Sequence, residues 1–177
     1  MNDAAPQIID CAERHLPAIR AILNDAILHT TALYDYAPRT PRMIEEWFAR
    51  RQQEHRPVIG IEAADGTLAG FASYGTFRAF PGYKYTVEHS VYVDTARRGQ
   101  GIGQTLMREL ITRAEAQQLH TLIGAIDAEN AASIRFHVAL GFTHCGTLRE
   151  AGYKFGRWLD VVFYQLILRT PDVPTEE

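Results

Sequence analysis

Apolar residues return at helical spacing in three stretches of the chain. Between Glu13 and about His29, Leu16, Ile19, Leu23, Ala26 and Ile27 share one face. Between Ile102 and about Gln117, Ile102, Leu106, Leu110 and Ala114 recur every fourth residue, and Met107 and Ile111 widen the stripe. Thr40-Pro41 combines a capping threonine with a first-turn proline and predicts a helix that buries Ile44, Trp47 and Phe48. A shorter helix runs from about Ala131 to Leu140, closed by Gly141. Strands are predicted at 7–12, 86–93, 120–125, 142–148 and 158–168, and at 58–63 and 68–75 on either side of the hairpin signal Asp65-Gly66. Residues 30–36, 77–85 and 151–156 break both periods and are expected to be loops. The resulting order is strand, two helices, three strands, helix, strand, helix, two strands. It describes one mixed α/β domain over residues 1–170, with a proline-rich acidic tail at 171–177 expected to be disordered.

The alternation in 86–93 departs from that of a fully buried strand. Val87, His89, Val91 and Val93 fall on one face, and Thr86, Glu88, Ser90 and Tyr92 on the other. A polar face in mid-strand either lines a wet cavity or meets solvent. The strand runs directly into a basic glycine-rich turn, which favours the cavity and places Glu88 in a partly desolvated cleft, where its pKa rises toward values useful for a base. The alternative for Glu88 is a structural ion pair with a neighbour such as Arg78.

Glycines 99, 101 and 103 keep side chains away from the start of the helix at Ile102. The first-turn amides there have no intrahelical partner, and the helix dipole favours negative charge. Such a turn suits a phosphate or pyrophosphate, with Arg97 and Arg98 as cationic donors. A Walker loop is excluded, because Gln104-Thr105 follows Gly103 where Lys and Ser or Thr are required. The dinucleotide fingerprint fails as well: its third glycine would fall at Gln104 or Leu106.

Composition narrows the function classes. With 46% hydrophobic and 22% charged residues, the 177-residue chain has the make-up of an ordinary globular domain. A net charge of −3 offers no general attraction to nucleic acid or anionic membrane. Cys11 and Cys145 have no metal-ligand spacing and are too few for a disulfide framework; no metal site is expected, and free thiols in the cytoplasm are. The opening residues lack the basic and apolar regions of a secretory leader. The 77–85 loop carries four aromatics, Phe77, Phe80, Tyr83 and Tyr85, together with Arg78, a composition common in ligand-binding loops.

Arg98-x-x-Gly101-x-Gly103 resembles the coenzyme A pyrophosphate loop of the GCN5-related N-acetyltransferases (GNAT). Asn130-x-x-Ser133-Ile134-x-Phe136-His137-x-x-x-Gly141-Phe142 is a second point of resemblance to that superfamily. The resemblance implies the GNAT acyl-CoA N-acyltransferase fold, a central mixed sheet of about seven strands splayed at the middle and flanked by about four helices. It implies acetyl-CoA as cofactor, held by the Val91, Tyr92 and Val93 backbone, by the turn Arg98, Gly99, Gln100, Gly101, Ile102, Gly103 and Gln104, and by Asn130 and Ser133. Most superfamily members carry tyrosine at the position of His137. That histidine, the 86–93 strand and the Phe77-Arg78…Tyr83 loop are together similar to the phosphinothricin N-acetyltransferase group. Members of that group acetylate the α-amino group of phosphinothricin, methionine sulfoximine, methionine sulfone or related amino acids, and are commonly homodimers. By this resemblance Glu88 is the general base, and His137 donates to the leaving thiolate, shares the base role or is structural. Arg78 and Tyr83 bind the substrate carboxylate or its phosphinate or sulfone oxygens, with Phe77, Tyr92, Tyr34 and Lys154 as further candidates for the pocket. The 158–168 strand would serve a dimer. Acetylation of a protein N-terminus or lysine, and a non-catalytic acyl-CoA-binding module, are the competing readings.

Overall fold

The computed structural model describes residues 7–176; residues 1–6, read above for a leader, and Glu177 of the tail lie outside them. Its strands are β1 (Gln7–Asp10), β2 (Val58–Glu62), β3 (Leu68–Thr76), β4 (Thr86–Val93), β5 (Thr121–Asp127), β6 (Thr143–Lys154) and β7 (Arg157–Ile167). They form one seven-stranded sheet in the order β1-β2-β3-β4-β5-β7-β6. All neighbours are antiparallel except β4 and β5. The helices are α1 (Leu16–His29), α2 (Pro41–Gln53), α3 (Ile102–Ala116) and α4 (Ala131–Ala139).

Two apolar clusters cover opposite faces of the sheet. Ile102, Leu106, Met107 and Leu110 of α3 pack with Ile59, Ile61, Ala72 and Leu122, while Ile19, Ile22, Ile44 and Phe48 of α1 and α2 pack with Val58, Leu68 and Phe71. Gly70 permits the close seat of α3: a Cβ there would lie 2.9 Å from the Tyr92 carbonyl and 3.1 Å from Ile102. The α2 start follows its sequence signal, with the Thr40 hydroxyl accepting from the Met43 amide at 3.3 Å.

The feature that shapes the middle of the molecule is where β4 and β5 part. Their parallel register holds for Thr86↔Thr121, Val87↔Leu122 and Glu88↔Ile123, and stops there. β4 continues to Val93 paired with β3 alone. Alternate backbone groups of its last residues therefore face a notch without a ladder partner.

Two expectations need correction. Residues 151–154 are strand, because β6 resumes pairing with β7 at Gly152↔Leu159 after an irregular register, and the turn shrinks to Phe155-Gly156. Both turn residues have positive φ, 52° and 75°, as a two-residue hairpin requires, but Phe at the first position carries no turn signal. β7 is paired on both edges and buries Leu159 and Val162, while Trp158 and Ile167 stay exposed. Within the tail, the Thr175 amide donates to the Tyr85 hydroxyl at 3.1 Å, so this part packs back on the domain instead of trailing free.

Candidate active site

The notch opens into a cavity of about 600 Å³ walled by the ends of β4 and β5, the start of α4 and the 30–34 loop. Of the residues singled out from the sequence, Tyr34, Glu88, Val91, Tyr92, Val93, Arg98, Gly103, Asn130, Ser133 and His137 line it.

The turn into α3 has the form expected of an anion cradle. Gly99 and Gly101 both sit at φ 78°, a conformation glycine adopts without strain, and Gly101 is the N-cap, so no side chain caps the helix. A Cβ at Gly103 would come within 3.6 Å of Val93 and 3.7 Å of Phe136, so glycine keeps the helix mouth open beside the strand. The Ile102 side chain is buried in the core, which leaves its backbone for ligand contact. Arg98 is exposed on the cavity wall. Arg97 turns away, donating to Asp65 at 2.8 Å and to Thr67 at 2.9 Å. Its role is to pin the β2–β3 turn. The Asp65 carboxyl, held first by Thr67 and then by Arg97, drops to about 2.

Glu88 stands where the two strands separate. Its side chain reaches solvent through the cavity mouth, yet enough protein surrounds it that desolvation raises the carboxyl above its ordinary value, with Arg78 pulling the other way. Tyr92 lies four residues further along on the same face, its ring 5.5 Å from Phe71, and burial pushes its phenol up to about 12.

His137 faces the cavity from α4, 5% exposed. Its Nδ1 lies 2.7 Å from the Ser133 carbonyl, which accepts a proton carried on that nitrogen. In this tautomer Nε2 is a bare acceptor, buried and without a partner among the described residues. Desolvation lowers the ring's pKa against the opposing Ser133 bond, so at neutral pH His137 offers a lone pair and not a proton. His89 stacks on it with centroids 5.1 Å apart, and burial holds its pKa near 3. Both rings fit because residue 124 is glycine: a Cβ there would lie 2.8 Å from His89 Nε2 and 3.0 Å from His137 Nε2. Asn130 accepts from the Ser133 amide at 3.0 Å and so caps α4, fixing the helix that carries His137.

Gly99, Gln100, Gly101, Ile102 and Gln104 of the turn lie beyond the cavity lining, and four acceptor-pocket candidates do not line it either. Phe77 and Tyr83 pack edge to face at 5.8 Å, with the Arg78 guanidinium 5.2 Å over the Phe77 ring, on a loop outside its wall. Lys154 is buried and donates to the Thr30 and Leu33 carbonyls, tying β6 to the loop that walls the cavity. It acts on the pocket only through that loop. Asp127, Phe136 and Val161, to which the sequence assigned no site role, do line the cavity. Asp127 accepts from the Glu129 amide at 2.9 Å, and its Asp-x-x-Asn spacing to Asn130 was the one available signal.

Comparison with known proteins fits this geometry. A family model described as the acetyltransferase (GNAT) family matches residues 18–142. The L-methionine sulfoximine/L-methionine sulfone acetyltransferase of Pseudomonas aeruginosa is 45% identical over 91% of this chain and 94% of its own. A solved structure from Acinetobacter baylyi ADP1 superposes with a TM-score of 0.95 at 52% identity, covering 97% of each chain. A GNAT phosphinothricin acetyltransferase from Sinorhizobium meliloti, solved with acetyl-CoA, gives a TM-score of 0.92 at 29% identity over 97% of this chain and 93% of its own. With the family match spanning more than half its length, the chain belongs to the acetyltransferase (GNAT) family.

Proposed function

We propose that this protein transfers the acetyl group of acetyl-CoA to the α-amino group of a small amino-acid-like acceptor of the methionine sulfoximine, methionine sulfone or phosphinothricin type. The observation that carries the reading is the parting of β4 and β5 immediately after Glu88↔Ile123. It sets an unpaired strand edge, an uncapped helix start and a desolvated carboxylate around one cavity.

The fit to acetyl-CoA rests on those same donors. The α3 turn and Arg98 would hold the pyrophosphate, and the free edge of Val91–Val93 with Asn130 would hold the amide-bearing arm. When bound, the cofactor supplies an acetyl group activated as a thioester. Glu88 accepts the proton that the acceptor's ammonium must lose before its nitrogen can act as a nucleophile. A carboxylate whose pKa is raised by burial is the stronger base for that task. The bare Nε2 of His137 suits a hydrogen-bond acceptor or an auxiliary base better than a proton donor.

We also propose that the enzyme is a cytoplasmic homodimer. Both cysteines are free thiols, as suits a reducing compartment. Tyr153, Phe155 and Trp158 at the β6–β7 tip form an exposed aromatic group suited to a partner subunit.

An acetyl-CoA-coupled thiol-release screen tests the activity. Turnover with free methionine sulfone or sulfoximine, and little with peptides, is expected. Turnover confined to peptide amines would move the chain to protein acetylation, and tight acetyl-CoA binding with no turnover on any amine would make it a binding module.

A further inference from the structure

A second, smaller cavity of about 180 Å³ adjoins the first across Leu33, Ser90 and Tyr92. Its floor is the β3–β4 pair, where Phe71↔Tyr92, Ser73↔Ser90 and Gly75↔Glu88 are directly opposed. Gly75, on this floor, pairs with Glu88, which lines the first cavity, so the floor leads toward the residue placed as the base. Its roof comes from α1 and α2, with Leu23, Ile44 and Trp47 supplying apolar surface.

Two cations, Arg39 and Arg51, border this space. The Arg51 guanidinium lies flat on Gly75, where a Cβ would be 2.5 Å from Nη2, and sits 5.8 Å from the Trp47 ring centroid. Nη1 meets Glu54 at 3.1 Å, but Nε is fully covered and has no acceptor among the described residues. Ser73, 2% exposed, reaches only a 3.4 Å contact with the Tyr74 carbonyl. Arg39, also on the wall, is already engaged by Asp35 at 2.5 and 3.2 Å. The cavity thus combines apolar sides with buried donors that lack good acceptors, an arrangement that leaves a free-energy gain for a ligand able to accept hydrogen bonds.

Resting on the acetyl-transfer reading above, we propose that this cavity is the side-chain subsite of the acceptor, and that Arg51 and Ser73 read an oxygen on the sulfur or phosphorus at the side-chain tip. Trp47, Ile44 and Phe71 cover the aliphatic stem. Sulfone, sulfoximine and phosphinate groups all present such an oxygen, and the thioether of methionine does not. A site built to hydrogen-bond a substrate group discriminates strongly against the analogue that lacks it.

The test compares kcat/KM for L-methionine sulfone and L-methionine at saturating acetyl-CoA, in the wild type, Arg51→Met and Ser73→Ala. The sulfone-to-methionine ratio is expected to fall roughly 10–100-fold in Arg51→Met, the scale of one hydrogen bond to a charged group. Ser73→Ala, a small change on a strand, is expected to lower the same ratio several-fold, and it decides the matter if Arg51→Met does not fold. A ratio unchanged in the folded variants, or an equal loss on both substrates, overturns the subsite while leaving acetyl transfer intact. A wild type that acetylates neither amino acid overturns the activity itself.

Discussion

Gly124→Ala isolates the packing that holds the two histidines. Gly124 has no left-handed backbone angle, so alanine is conformationally acceptable and only the new methyl acts. That methyl would sit 2.8 Å from His89 Nε2, 3.0 Å from His137 Nε2 and 3.2 Å from His137 Cδ2, where carbon contacts normally begin at about 3.5 Å. Neither ring can retreat easily: each packs against Phe142, at 5.3 Å for His89 and 5.2 Å for His137, and the 2.7 Å bond to Ser133 holds His137 on its helix. Relief must come from off-rotamer rings or a shift of β5, which places the cost in the range of about 1–3 kcal/mol for overpacking. The expected result is an unfolding free energy lowered by that amount, seen as a lower urea midpoint at unchanged m-value, together with a fall in kcat larger than any change in KM for acetyl-CoA. Wild-type stability and turnover in this variant would refute the claim that the histidine pair is close-packed over residue 124.

The two neighbouring arginines should separate cleanly. Arg98→Ala is expected to raise KM for acetyl-CoA about tenfold or more, the scale of one charge-assisted bond, and Arg97→Ala to leave it near wild type; equal effects would contradict the assignment of the turn. The buried histidines predict acid sensitivity of folding. Their folded pKa values lie below the unfolded value of 6.5, near 3 for His89, so the unfolded chain binds more protons in that window and stability falls as pH drops from 6.5 toward 3. Each histidine contributes a slope of up to about 1.4 kcal/mol per pH unit, and urea titrations at several pH values should show a shallower fall in His89→Phe. A variant with the wild-type slope would remove His89 from the acid response.

The helices were legible because their stripes are long: Ile102, Leu106, Leu110 and Ala114 in α3 are all buried as the spacing requires. Glu88 was legible from a polar alternation that no core strand needs. The β6–β7 turn was not, because Phe155 takes a positive φ imposed by pairing on both sides of it. Lys154 and Arg97 were misassigned for a different reason. A basic residue near a site reads alike from sequence whether it faces the ligand or anchors a loop, and here distant partners, the Thr30 and Leu33 carbonyls and Asp65, decide. The cavity beside Ser73 and Arg51 depends on contact between α2 and β3, which no local pattern encodes.

The central claim is that Glu88, standing where β4 and β5 separate, removes the proton from the acceptor amine. Steady-state kinetics of Glu88→Gln with methionine sulfone tests it most directly. The account predicts a kcat lower by about 10²–10⁴-fold with acetyl-CoA affinity little changed, and in the wild type a kcat/KM that rises with pH as the raised carboxyl ionises. Turnover in Glu88→Gln close to that of the wild type would contradict it.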